Sequence, residues 1–104
     1  MATHLKAGDL APEFSAVSTD GKIINLADYR GKKLVMYFYP MDDTPGCTKQ
    51  ACSLRDANAE IAARGAAILG VSAQGEESHQ RFTKKFSLNF PLLADTDLAI
   101  AKAY

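Results

Sequence analysis

Leu34-Val35-Met36-Tyr37-Phe38-Tyr39 is the longest apolar run in the chain, and the fold class follows from it. A membrane-spanning helix needs about 20 apolar residues, so this run does not cross a bilayer. It shows no alternation of apolar and polar positions. From Lys33 to Tyr39 it reads as a strand buried on both faces, as in a parallel sheet covered by helices. Pro40 ends it, and Met41 to Gly46 is a polar loop. A helix is expected from Pro45 to Arg64. Pro45 suits a first helical position and Gly65 a left-handed C-terminal stop. Ala66-Ala67-Ile68-Leu69-Gly70-Val71 is a second buried strand. Strand, helix and strand at this spacing form a βαβ unit.

Outward from that unit the signals are shorter. Phe14 to Ser18 reads as a strand, Asp20-Gly21 as a hairpin turn and Ile23-Ile24 as the return strand. Asn25 is placed to cap a helical turn through Asp28, which Gly31 ends. Downstream, a helix is expected from Ser78 to Phe86, a short strand from Phe90 to Ala94, and a last helix from Asp95–Asp97 running to Tyr104. The class is α/β: one domain over residues 1–104, a mostly parallel sheet flanked by helices.

Composition agrees with one folded domain. The chain has 104 residues, 47% hydrophobic and 23% charged, which excludes a disordered polymer. Lys+Arg and Asp+Glu balance at 12 each, so no global field attracts nucleic acid or an anionic membrane, and neither is an expected partner. Residues 1–6 lack the apolar core of a secretory signal, and a cytoplasmic location is expected.

The chemistry is concentrated in Tyr39-Pro40-Met41-Asp42-Asp43-Thr44-Pro45-Gly46-Cys47-Thr48-Lys49-Gln50-Ala51-Cys52. This segment lies at the carboxyl end of a buried strand, where open α/β sheets place their sites. Cys47 falls in the first turn of the expected helix. The unpaired N–H groups there and the positive end of the helix dipole favour an anion, so a thiol at that place loses its proton more readily than a free one. The Thr44 hydroxyl stands ready to donate to the thiolate or to a bound oxygen, and Pro40 and Pro45 stiffen the loop. Lys49 and Arg55 are either positive neighbours of the site or solvated. Cys52 follows five residues on, a helical separation of about 8.6 Å between Cα atoms, beyond the ~7 Å limit for a disulfide. The two pair only if the helix start unwinds.

Three readings of the cysteines stand at this point. They are a reactive and a resolving thiol, two inert buried thiols, or part of a metal site. The last has the least support, because neither His4 nor His79 stands at ligand spacing from the cysteines. His79 shares a helical face with Phe82 and Phe86 and reads as a packed or rim histidine rather than a base. Glu76-Glu77 reads as a helix-start pair. Asp42 and Asp43 read as loop carboxylates, with no catalytic part because they would repel a thiolate.

Pro40-x-x-x-Thr44-x-x-Cys47 resembles the active-site pattern of the peroxiredoxins. Thr44-Pro45-Gly46-Cys47-Thr48 with Cys52 is similar to the bacterioferritin-comigratory-protein (PrxQ) branch. Gly8-Asp9-Leu10-Ala11-Pro12-Glu13-Phe14, Phe82 and the Asn89–Asp95 stretch agree, so the resemblance covers essentially the whole chain. It implies a thioredoxin-like fold and reduction of hydrogen peroxide and organic hydroperoxides. Cys47 would be the peroxidatic and Cys52 the resolving cysteine, joined in a disulfide that thioredoxin or a related dithiol recycles. Thr44 and Pro40 would shape the pocket, with Thr44 and Gly46 on the substrate. No metal, flavin or haem is implied. The family continues with a hairpin carrying an activating arginine. This sequence has no arginine beyond Arg81, so the domain is expected to be incomplete at its C-terminus. Its Leu34–Tyr39 strand is then an open edge prone to self-association. The alternative function is a non-catalytic redox sensor or an inactive fragment of a longer peroxiredoxin.

Overall fold

The structure, a computed structural model, describes residues 5–104. β1 (Ser15–Val17) and β2 (Ile23–Asn25) pair antiparallel, with Ala16 opposite Ile24. Gly21 turns the chain between them at φ +81°, a conformation that favours glycine. A single 3₁₀ turn, Leu26–Tyr29, follows, and the Asp28 carboxylate accepts the Asn25 N–H at 2.9 Å. That bond satisfies a backbone donor at the start of the turn.

The βαβ unit is β3 (Lys33–Phe38), α1 (Pro45–Ala63) and β4 (Ala66–Ser72). β3 and β4 run parallel, with Leu34 opposite Ala67 and Phe38 opposite Val71. After α2 (Glu76–Phe86), β5 (Leu92–Ala94) adds to the far side of β4, again parallel, and α3 (Ala99–Ala103) follows. The sheet order is β3-β4-β5.

Alternation along the strands sends residues to two cores. Ile68 and Leu92 pack with Cys47 and Ala51 of α1 and Phe82 of α2. Leu69, Val71 and Leu93 pack on the opposite face with Phe14 and Ile100, bordered by Ala16, Ile24 and Leu26. Helices α1 and α2 thus cover one face, and the β1–β2 hairpin with α3 covers the other. Gly70 lies where the sheet is tightest. A Cβ there would stand 2.6 Å from a Leu92 methyl and 3.0 Å from the Tyr37 ring.

Four expectations are corrected. β3 is not buried on both faces. It is the outer strand beside β4, and Val35 and Phe38 remain 42% and 43% exposed. β4, paired on both sides, is the strand that fits that description. α2 begins at Glu76 rather than Ser78, because Glu76 and Glu77 complement the positive helix start. β5 begins at Leu92 rather than Phe90, since Pro91 has no N–H for the ladder. α3 begins at Ala99 because Leu98 takes a left-handed φ of 61°, and it ends at Ala103. His4 lies outside the described residues. No helix among the described residues is long and apolar enough to cross a membrane.

Candidate active site

The segment between β3 and α1 is held along its length. Tyr39 donates its N–H to the Val71 carbonyl at 3.1 Å, which carries the strand one residue past its ladder. The Pro40 carbonyl faces the Ser72 hydroxyl at 3.4 Å, and the Asp42 N–H donates to the Gln74 side chain at 3.1 Å. Asp43 takes a left-handed φ of 60°, and its carboxylate pairs with Lys85 at 2.7 Å. This conformation is uncommon for a non-glycine residue and aims the chain into the helix.

Thr44 is the N-cap of α1, with Pro45, Gly46 and Cys47 as the first three helical residues. The first intrahelical bond runs from the Thr48 N–H to the Thr44 carbonyl at 2.8 Å. The Gly46 and Cys47 N–H groups therefore have no partner inside the helix. No side-chain cap covers them. The Thr44 hydroxyl donates weakly to the Met41 carbonyl at 3.4 Å, and not to the Cys47 sulfur as the sequence suggested. Cys47 is 9% exposed and packed in the α1–α2 core. Cys52 is half-buried on the same helix, and both are free thiols. Intact helix separates them by five residues, about 8.6 Å between Cα atoms.

Beneath this helix start lies a buried polar cluster. The Tyr39 hydroxyl donates to Asp42 Oδ1 at 2.6 Å, and the Ser78 hydroxyl to Asp42 Oδ2 at 2.8 Å. His79 Nδ1 lies 2.7 Å from Asp42 Oδ2, and Nε2 lies 2.9 Å from the Leu93 carbonyl. Burial would push the Asp42 carboxyl up, but hydrogen bonds from His79, Tyr39 and Ser78 outweigh it and hold the group below the usual carboxylate range. Burial, with the nearby charges of Asp42 and Cys47, pushes the phenols of Tyr37 and Tyr39 above their ordinary value. Both rings therefore stay protonated at neutral pH. Tyr37 and Tyr39 stack at 5.4 Å between ring centroids. No group of three or more metal-ligating side chains occurs among the described residues.

The chain matches the AhpC/TSA family over residues 7–104. The chain belongs to that family. Peroxiredoxin Bcp of Escherichia coli strain K12 is 46% identical over 100 residues, covering 96% of this chain and 64% of that protein. The solved structure of a PrxQ mutant from Xylella fastidiosa superposes with a TM-score of 0.94 at 30% identity, over 99% of this chain and 67% of that one. The bacterioferritin comigratory protein of Xanthomonas campestris is 37% identical with a TM-score of 0.85, over 86% of this chain and 57% of its own. The fold of this AhpC/TSA chain is accordingly thioredoxin-like. It spans about two thirds of the length of the bacterial Bcp relatives and under half of the chloroplastic peroxiredoxin Q relatives.

In this AhpC/TSA chain, Thr44, Gly46 and Cys47 come together at one helix start, and Cys52 stands off along α1. Pro40 does not join them: its carbonyl faces Ser72, and it lines a cavity with Asp95, Leu98 and Ala101. Nor does Arg55. Its Nη1 donates to the Phe86 carbonyl at 2.6 Å and its Nε to Asp56 at 2.9 Å. It lies about 12 Å of helical rise beyond Cys47. Lys49 is exposed. Asp42 and His79 are the residues that sequence reasoning undervalued. From sequence Asp42 reads as a loop carboxylate with no part in the site, and the structure buries it at 9% exposure. A histidine on the apolar face of α2, in line with Phe82, was the available signal. A buried imidazole needs a polar partner.

Proposed function

We propose that this chain is a thiol-dependent peroxidase, with Cys47 as the peroxidatic residue and Cys52 as the resolving residue. The observation that carries the reading is the uncapped start of α1. Cys47 occupies its third position, and the Gly46 and Cys47 N–H groups stand free of intrahelical bonds. The Cys47 thiolate attacks one oxygen of a hydroperoxide. The O–O bond breaks, water or an alcohol leaves, and the sulfur becomes a sulfenic acid. Charge develops on the leaving oxygen, where the two N–H groups and the Thr44 hydroxyl act as donors. The Thr44 hydroxyl is held only by its long bond to Met41, so turning toward the site costs little.

The first turns of α1 then unwind, and the Cys52 thiol displaces water from the sulfenic acid to form a disulfide. An external dithiol, thioredoxin or a related carrier, reduces it by exchange. Alkyl peroxide reduction by the Xanthomonas relative supports organic hydroperoxides as substrates beside hydrogen peroxide. The test is consumption of hydrogen peroxide and an alkyl hydroperoxide by the chain under a continuous dithiol supply. Many equivalents consumed per chain support the reading. A single equivalent makes the chain a sensor rather than an enzyme.

A further inference from the structure

His79 is fully buried at the fourth position of α2. Each ring nitrogen faces an oxygen. Nε2 lies 2.9 Å from the Leu93 carbonyl, and a carbonyl only accepts, so Nε2 carries a proton. Nδ1 lies 2.7 Å from Asp42 Oδ2. The short contact needs a proton between the two atoms, and an imidazole nitrogen is more basic than a carboxylate oxygen that hydroxyls already bond. Tyr39 and Ser78 already donate to the two Asp42 oxygens, which favours the ionised carboxylate further.

We infer that His79 is a positioning residue: held as an imidazolium between Asp42 and Leu93, it closes a buried ion pair that fixes the 40–44 loop and keeps the helix start around Cys47 free of net negative charge. The inference rests on the peroxidatic reading of Cys47. The pair ties three elements together: the loop through Asp42, α2 through His79 and Ser78, and β5 through Leu93. Asp42 and Cys47 both act electrostatically on the rings of Tyr37 and Tyr39, so the carboxylate and the cysteine share one neighbourhood. An uncompensated carboxylate there would oppose a thiolate. The titratable groups beside the pair are Tyr39, just past β3, and Tyr37 of β3, with Cys47 of α1 reaching the same two rings. Lys85 and Asp43 pair with each other at the exposed rim.

The experiment has three arms on the whole chain. Nitrogen-resolved NMR of the His79 ring should show both N–H groups at pH 7. A single ring N–H overturns the proposal. His79→Gln leaves the carboxylate without its partner, and single-turnover oxidation of Cys47 by hydrogen peroxide should slow about tenfold at pH 7, with the pH profile of Cys47 alkylation moved upward. The double variant Asp42→Asn with His79→Gln carries no charge in the cluster and should recover most of that rate. Recovery does not follow from a purely space-filling role, so its absence overturns the proposal. If His79→Gln does not fold, Asp42→Asn alone decides. His79 should then drop to one ring N–H, and retention of both overturns the inference. The spectra and the alkylation profile need no peroxide, so an unreactive wild-type Cys47 would sink the peroxidatic reading while leaving the ion pair to be judged by NMR.

Discussion

The loops before α1 and α3 are built alike and end differently. Each leaves the carboxyl end of a parallel strand, each contains a buried aspartate, and each enters its helix after a left-handed non-glycine residue, Asp43 at φ 60° or Leu98 at φ 61°. Before α3, Asp95 uses its oxygens on the helix. Oδ1 accepts the Ile100 N–H at 2.9 Å and Oδ2 the Ala101 N–H at 3.0 Å. Before α1, Asp42 turns its oxygens away, to Tyr39, Ser78 and His79. One helix start is closed by its aspartate. The other is left open, and Cys47 stands in it. The difference shows how a helix N-terminus becomes available for chemistry: its capping carboxylate is occupied elsewhere, and its first N–H groups have no partner within the helix.

The contrast breaks completely if the open start is not the reactive one. Cys47→Ser is expected to abolish peroxide turnover, while Cys52→Ser leaves one fast oxidation of Cys47 and blocks the disulfide. Mass spectrometry of the oxidised thiols distinguishes the two, and the reverse pattern would exchange their roles. In the disulfide form, amide exchange between Thr44 and Cys52 should quicken, because Cys47 and Cys52 meet only when that turn opens. Equal protection in both redox states would remove the unwinding step.

Closing and opening the starts by mutation sharpens the comparison. Asp95→Ala orphans two N–H groups at α3 and should cost about 2 kcal/mol, a fall in Tm of roughly 10 °C, with the rate of Cys47 oxidation in the folded chain unchanged. Thr44→Asp gives α1 the carboxylate cap that α3 has. Peroxide oxidation of Cys47 should slow about tenfold as the new charge competes for the helix end. The smallest effect is in acid. The Asp42 carboxyl titrates below the usual range, so its contribution to stability is fully present above about pH 4 and drains as pH falls through the lower, folded value. Thermal melts between pH 7 and 2 should show that loss, and Asp42→Asn should flatten part of it.

Much of this was legible in the sequence where the signal is local. Pro45 and Gly65 bracket α1 because their backbone limits act within one residue, and Asp20-Gly21 marks the hairpin for the same reason. The apolar run at β3 revealed a strand, while its place at the edge of the sheet followed only from the family resemblance and not from the run itself. Composition reports burial on average, and it does not say that a strand has one neighbour. At the candidate site, Cys47 and its loop were readable because the helix start and the cysteine are adjacent in sequence. The Asp42–His79 contact spans 37 residues. It exists only because α2 folds back across the loop, and no spacing rule within either segment encodes that return.

Optically, the Tyr39–Asp42 bond makes the chain its own reporter. It contains no tryptophan and 4 tyrosines. A phenol bonded to a carboxylate at 2.6 Å loses its proton on excitation and emits weakly, so Tyr39 is dark while the loop is closed. Should disulfide formation unwind the start of α1 as proposed and strain that bond, tyrosine emission is expected to brighten. A stopped-flow trace of ultraviolet fluorescence would then follow the conformational change of an unlabelled, unmutated protein in real time.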